Sequence, residues 1–122
     1  MAQSSRERGF DAEKACCEYL QNQGLKLLER NYHGRRGELD LIMQDDTTVV
    51  FVEVRYRSNN AFCSAAETIT ASKQKKLRLT AAQYLQQETR LLNGRFDVVA
   101  MTKKVRNNGS NDYAFEWIKN AF

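Results

Sequence analysis

Two neighbouring stretches decide how this sequence folds: Gly37-Glu38-Leu39-Asp40-Leu41-Ile42-Met43 and, after Asp45-Asp46-Thr47-Thr48, Val49-Val50-Phe51-Val52-Glu53-Val54-Arg55-Tyr56. The second is rich in β-branched residues, and Val50, Val52 and Val54 give it a continuous apolar face, the pattern of a central strand. The first alternates acidic or apolar residues with apolar ones, again a strand pattern, and the Asp-Asp-Thr-Thr segment between them is turn chemistry. Side chains alternate along a strand, so Glu38, Asp40 and Ile42 share one face, and Glu53, Arg55 and Arg57 share one face of the next. If residues 45–48 form the loop, Gln44 pairs with Val49. Asp40 then lies opposite Glu53, and Glu38 opposite Arg55, with Cβ atoms ~4.5–5.5 Å apart. A loop shorter by two keeps all four on the same face, so the prediction depends on loop parity.

Working outward, Ser4 or Ser5 can cap a helix that runs to about Gln23, with Gly24 as its stop. Gly9, Ala12, Cys16, Tyr19 and Leu20 form its apolar stripe, and Glu13 falls on the core side. Leu25 to Tyr32 reads as a short strand, and residues 58–67 read as loop. A second helix spans about Ser72 to Glu88, with Leu77, Ala81, Tyr84 and Leu85 inward. Arg95–Met101 and Tyr113–Ile118 read as two further strands, separated by an Asn- and Gly-rich loop at 107–112. The order helix, three strands, helix, two strands predicts an α/β sandwich: a central mixed five-stranded sheet flanked by helices.

The chain has 122 residues, the size of one domain over 1–122, and its 42% hydrophobic and 28% charged residues suit a globular core. Its longest apolar run, Val49 to Val52, is far short of the ~20 residues that span a bilayer. No signal-peptide core opens the sequence, so a cytoplasmic protein without membrane contact is expected. Three cysteines without CxxC spacing and the single His33 exclude a Cys/His zinc site and give little support to a His-activated nucleophile. Metal chemistry here must use carboxylates.

The net charge is +4, and its distribution says more than its size. Thr68 to Gln87 contains no acidic residue but carries Lys73, Lys75, Lys76 and Arg78. Arg30, Arg35 and Arg36 make a second basic cluster, and Arg55 and Arg57 a third. Three such clusters point to a polyanionic partner, a nucleic acid, with Arg35, Arg36, Arg57, Lys73, Lys75 and Lys76 as phosphate contacts.

Opposed carboxylates destabilise a hairpin unless something neutralises them. Arg55 and Arg57 could do so as a surface ion network. A hard cation is the other solution, because Mg²⁺ takes one or two carboxylates and completes its shell with water and substrate phosphate. Glu13 could add a third oxygen or hold a water. Elsewhere, Asp97 is expected to pair with a nearby arginine, His33 to be solvated, and the alternating Tyr113, Phe115 and Trp117 to face the core.

Gly37-Glu38-Leu39-Asp40-Leu41-Ile42 followed by Val50-Phe51-Val52-Glu53-Val54-Arg55 resembles the active-site hairpin of the PD-(D/E)xK nuclease superfamily. With Gly9-Phe10-Asp11-Ala12-Glu13, Lys73-Gln74-Lys75-Lys76-Leu77 and Arg95-Phe96-Asp97-Val98-Val99, nearly the whole chain resembles the YraN family of bacterial proteins. That family is grouped with this fold through similarity to archaeal Holliday-junction resolvases. The resemblance implies a restriction-endonuclease-like fold and a Mg²⁺-dependent endonuclease, with Mn²⁺ as substitute, acting on structured DNA through activated water. It makes Asp40 and Glu53 metal ligands and Glu13 an accessory acid and third ligand, and it offers the Val54 carbonyl as a further one. The superfamily lysine is replaced by Arg55. Arginine cannot act as a base, but it can clamp phosphate and stabilise transition-state charge. Lys73 is the alternative source of the missing amine. A nucleic-acid-binding module that has lost the chemistry, and a protein-interaction adaptor, are the competing functions. A homodimer cannot be read from the sequence.

Overall fold

The computed structural model describes residues 5–57, 68–87, 93–105 and 111–122. The expected loop at 58–67, most of that at 107–112, Cys63, Gly9's share of the helical stripe and the Arg57 side chain lie outside what it describes. The elements are α1 (Ser5–Asn22), β1 (Lys26–His33), β2 (Glu38–Asp45), β3 (Thr48–Arg57), α2 (Ala71–Gln86), β4 (Asn93–Val105) and β5 (Asn111–Ile118). The five strands form one mixed sheet in the order β1-β2-β3-β4-β5. All neighbours are antiparallel except β3 and β4, which run parallel. This is the expected α/β architecture, consistent with a restriction-endonuclease-like fold. Among the described residues, no helix is long and apolar enough to cross a membrane.

β3 is buried on both faces, which its continuous Val-Val-Phe-Val run foretells. Val50 and Val52 pack with Ala12, Cys16 and Leu20 of α1, whereas Val49 and Phe51 pack with Leu77, Ala81 and Tyr84 of α2. The two helices therefore cover opposite faces of the sheet. Gly24 ends α1 at φ 101°, where only glycine is unstrained, and the Leu25 amide returns to the Leu20 carbonyl at 3.1 Å. α2 starts on Thr70, whose side chain accepts from the Lys73 amide at 3.1 Å.

The hairpin register follows the prediction: Gln44 pairs with Val49, and one further rung, Asp45↔Thr48, tightens the turn to Asp46 and Thr47. The ladder ends at Leu41↔Val52, before it reaches the carboxylates. Alternation also breaks there, because Leu39 packs on the α2 face and Leu41 on the α1 face. On the adjoining strand Asn31 takes a positive φ of 53°.

At the other end of the sheet a polar network holds β2, β4 and β5 together. Asp97 has 0% exposure, and its Oδ2 accepts from Trp117 Nε1 at 2.9 Å while its Oδ1 accepts from the Asn120 amide at 3.0 Å. Arg95 Nε reaches Asp97 Oδ1 at 3.1 Å, and Arg95 Nη1 reaches Asp45 Oδ2 at 3.1 Å. Asp97 thus pairs with an arginine, as expected, and Tyr113, Phe115 and Trp117 pack against the core. Removing one partner of a buried ion pair leaves the other charge uncompensated, so Asp97→Ala should cost about 3–5 kcal/mol. Urea unfolding measures this; a loss below about 1 kcal/mol would show the network to be dispensable.

Candidate active site

The open end of the β2–β3 hairpin faces α2 across a cleft of about 430 Å³. Its floor includes Gly37, Glu38, Asp40 and Glu53, and its wall is the first half of α2 with Thr70, Ser72, Lys73, Lys76, Leu77 and Thr80. Strand parity explains the floor, because Glu53 follows Val49 and Phe51 on the α2 face. Helix spacing explains the wall: Lys73, Lys76, Leu77 and Thr80 recur at three and four residues and so share a face.

Where the ladder stops, Asp40 Oδ2 accepts from the Val54 amide at 3.0 Å. A side chain thus takes over the work of a strand partner and is fixed by it. Glu53, only 7% exposed, is met by two cations: Lys73 Nζ stands 3.1 Å from its Oε1, and Arg55 Nη2 stands 3.8 Å from the same oxygen. Arg55 is not among the residues that line the cleft, and its Nε is buried with no hydrogen-bond acceptor among the described residues. Burial and then the charge of Glu53, with a smaller push from Glu13, raise the Asp40 carboxyl to about 7, against the pull of the Val54 amide and Lys73.

Glu13 comes from the opposite helix. It is half-buried and hydrogen-bonded by Asn31; burial raises its carboxyl, Arg30 opposes the shift, and Glu53 and Glu38 add to it. It lies within electrostatic range of Asp40 and Glu53 but outside the residues that line the cleft. Among the described residues, no three acidic, histidine or cysteine side chains converge into a ready metal cage. Asp40 and Glu53 act as a pair, which is the number of protein carboxylates Mg²⁺ takes when water and substrate complete its shell. The donor set fits that ion.

The remaining candidates disperse. Lys76 joins Lys73 on the cleft wall, while Lys75 is exposed away from it. Arg35 and Arg36 are exposed on the β1–β2 connection and border a second groove. Arg57 pairs through its backbone with Thr102. His33 makes a solvent-exposed contact with Glu38, Nδ1 to Oε1 at 3.4 Å, of the kind that contributes little. Sequence reading missed Thr70 and Thr80. Thr70, an N-cap residue type directly before the helical pattern, is a start signal that could have found the first. Thr80 is fully buried because its hydroxyl donates to the Lys76 carbonyl at 2.8 Å.

A carboxyl whose pKa is higher in the folded than in the unfolded chain binds its proton more tightly when folded. Asp40 therefore favours the metal-free fold most below its ordinary value of 3.8, and that contribution is lost as pH rises toward about 7. Asp40→Asn keeps an acceptor for the Val54 amide and removes the titration. In chelator, its Tm should match the parent's near pH 4 and exceed it by roughly 5 °C at pH 8. A Tm difference that does not change with pH would contradict the shift.

The family described as "Uncharacterised protein family UPF0102" matches residues 12–101 of this chain. A UPF0102 protein of Nitrosomonas europaea is 47% identical over 119 residues, covering 98% of this chain and 96% of its own length. A UPF0102 protein of Pseudomonas aeruginosa is 46% identical over 122 residues, covering 98% and 95%. One from Coxiella burnetii is 44% identical over 115 residues, covering 93% and 89%. Asp40, Glu53 and Lys73 all lie within the matched segment, and on this family match and these full-length similarities the chain belongs to the UPF0102 family.

Proposed function

We propose that this protein is a metal-dependent endonuclease that hydrolyses phosphodiester bonds, with structured DNA as its substrate. The observation that carries this reading is Glu53: a buried carboxylate shared by Lys73 and Arg55, beside the proton-holding Asp40, at the floor of an open cleft. Asp40 and Glu53 would hold Mg²⁺ or Mn²⁺, which supplies Lewis-acid stabilisation of the phosphoryl oxygens and lowers the pKa of the attacking water. Glu13 lies outside the cleft lining and acts on the pair through its charge and through water.

The protein's own groups then divide the remaining work. Lys73 Nζ reaches into the cleft from α2 and stands in for the amine that Arg55 displaces from the hairpin. As an ammonium 3.1 Å from Glu53 it donates to the phosphate as a point charge, whereas Arg55 carries a planar, permanently charged guanidinium. Arg55 is not among the residues that line the cleft, but with its Nη2 3.8 Å from Glu53 Oε1 it adds a permanent positive charge beside the floor, which favours phosphate there. Water oxygen bonds to phosphorus, the bond from phosphorus to the leaving sugar oxygen breaks, and that oxygen acquires a proton. The arrangement also favours a second reading. Lys73 already neutralises Glu53, so the site could bind a phosphate backbone without cutting it.

Incubation with labelled junction, duplex and single-stranded DNA in Mn²⁺ tests both. Asp40→Asn or Glu53→Gln should abolish cleavage, and Lys73→Ala should lower it by about 10²–10³-fold, the usual worth of one donor to transition-state charge. Arg55→Lys should retain more activity than Arg55→Ala. Cleavage by Asp40→Asn at the parent's rate overturns the endonuclease reading. Tight binding with no cleavage by the parent, unchanged in Asp40→Asn, establishes the binding module.

A further inference from the structure

A second groove, of about 580 Å³, lies beside the cleft, between Arg35 and Arg36 of the β1–β2 connection and the second half of α2. It is lined there by Leu79, which is 42% exposed, and by Ala82, Gln83, Gln86 and Gln87. Among the described residues, no acidic and no aromatic side chain borders it.

The polarity of this groove is set by one hydrogen bond. The Arg35 backbone amide donates to Gln83 Oε1 at 2.9 Å. An amide N–H can only donate, so the Gln83 oxygen is the atom that faces it. Nε2 is then the end that Gln83 can offer a ligand, and it is purely a donor. With two guanidiniums beside it and no carboxylate among its described lining residues, the groove offers a surplus of donors and positive charge, which selects an anionic ligand rich in acceptor oxygens.

The connection between groove and cleft is tightly packed. Gly34 donates from its amide to the Gly37 carbonyl at 2.8 Å. A Cβ on Gly34 would stand 2.8 Å from Gln83 Oε1 and 2.9 Å from Thr80 Cγ2, so only glycine lets the connection lie this close to α2. Gln83 lies ten residues beyond Lys73 on the same helix, about 15 Å along its axis. That is roughly four steps of duplex at 3.4 Å per strand residue.

We propose that this groove is a second phosphate-backbone subsite, which grips duplex DNA about four base pairs from the bond held in the cleft. This deepens the endonuclease reading and rests on it. Duplex is favoured over single strand because, among the described lining residues, no ring offers an unpaired base a stacking surface.

The test is the affinity of the full chain for a labelled 20-base-pair duplex and a 20-nucleotide single strand, each measured across salt. Arg35→Ala with Arg36→Ala should lower duplex affinity at least tenfold and flatten the salt slope by about two. Gln83→Glu keeps an oxygen for the Arg35 amide and replaces the donor with negative charge. It should melt with the parent yet bind duplex about fivefold more weakly. Lys119→Ala, whose Nζ lies 4.4 Å from the Trp117 ring centroid, is the control and should bind as the parent does. Parent-like affinity in both groove variants overturns the subsite and leaves the endonuclease reading standing. Losses confined to the single strand overturn the duplex assignment. A parent that binds neither probe at low salt overturns both proposals.

Discussion

The pairing of β2 with β3 is the constraint on which the rest depends. With Gln44 opposite Val49, Asp40 and Glu53 face the same side of the sheet, where α2 can bring cations to them. A slip of one residue would send Glu53 into the valines under α1 and bring Val54 to the cleft, because strand faces exchange at every step. The turn at Asp46, with φ 56°, and the buried Val49-to-Val52 run hold that register from one end. The Val54 amide on Asp40 holds the other.

Two polar constellations with opposite purposes share this sheet. Around Asp97 both carboxylate oxygens accept hydrogen bonds, and the group is sealed from water; such a network fixes strands and does nothing else. Around Glu53 the balance is incomplete. Two cations crowd one oxygen, one guanidinium nitrogen has no acceptor among the described residues, and Asp40 is held toward its neutral form. Proteins depart from full polar satisfaction at sites that await a ligand, and a cation or phosphate entering the cleft would complete what the fold leaves unbalanced.

Much of this was legible in the sequence because it depends on period and parity. The hairpin register, the glycine stop at Gly24, the cores under α1 and α2, the Asp97–Arg95 pair and the inward aromatics of β5 follow from local rules. What escaped depends on three-dimensional closure. Nothing in a strand pattern marks where a ladder ends, so the break at Asp40 and the positive φ of Asn31 had no signal. Cys17, one step off the helical stripe, is buried as well because α1 covers enough of the sheet to hide a wider face. Lys73 could be named as a source of an amine; its meeting with Glu53, twenty positions earlier in the chain, required the helix to be docked. Gln83 is an ordinary helical glutamine until the Arg35 amide meets it.

The close seat of Gly34 against Thr80 and Gln83 has a mechanical consequence. A helix that forms the wall of a cleft is the natural part to swing when a bulky polymer enters. Here that helix is clasped by the strand connection at the middle of its length, without the slack of even one methyl group. A tilt of α2 toward the connection meets the Gly34 backbone at once, so helix and corner are held at one spacing by contact rather than by a linker.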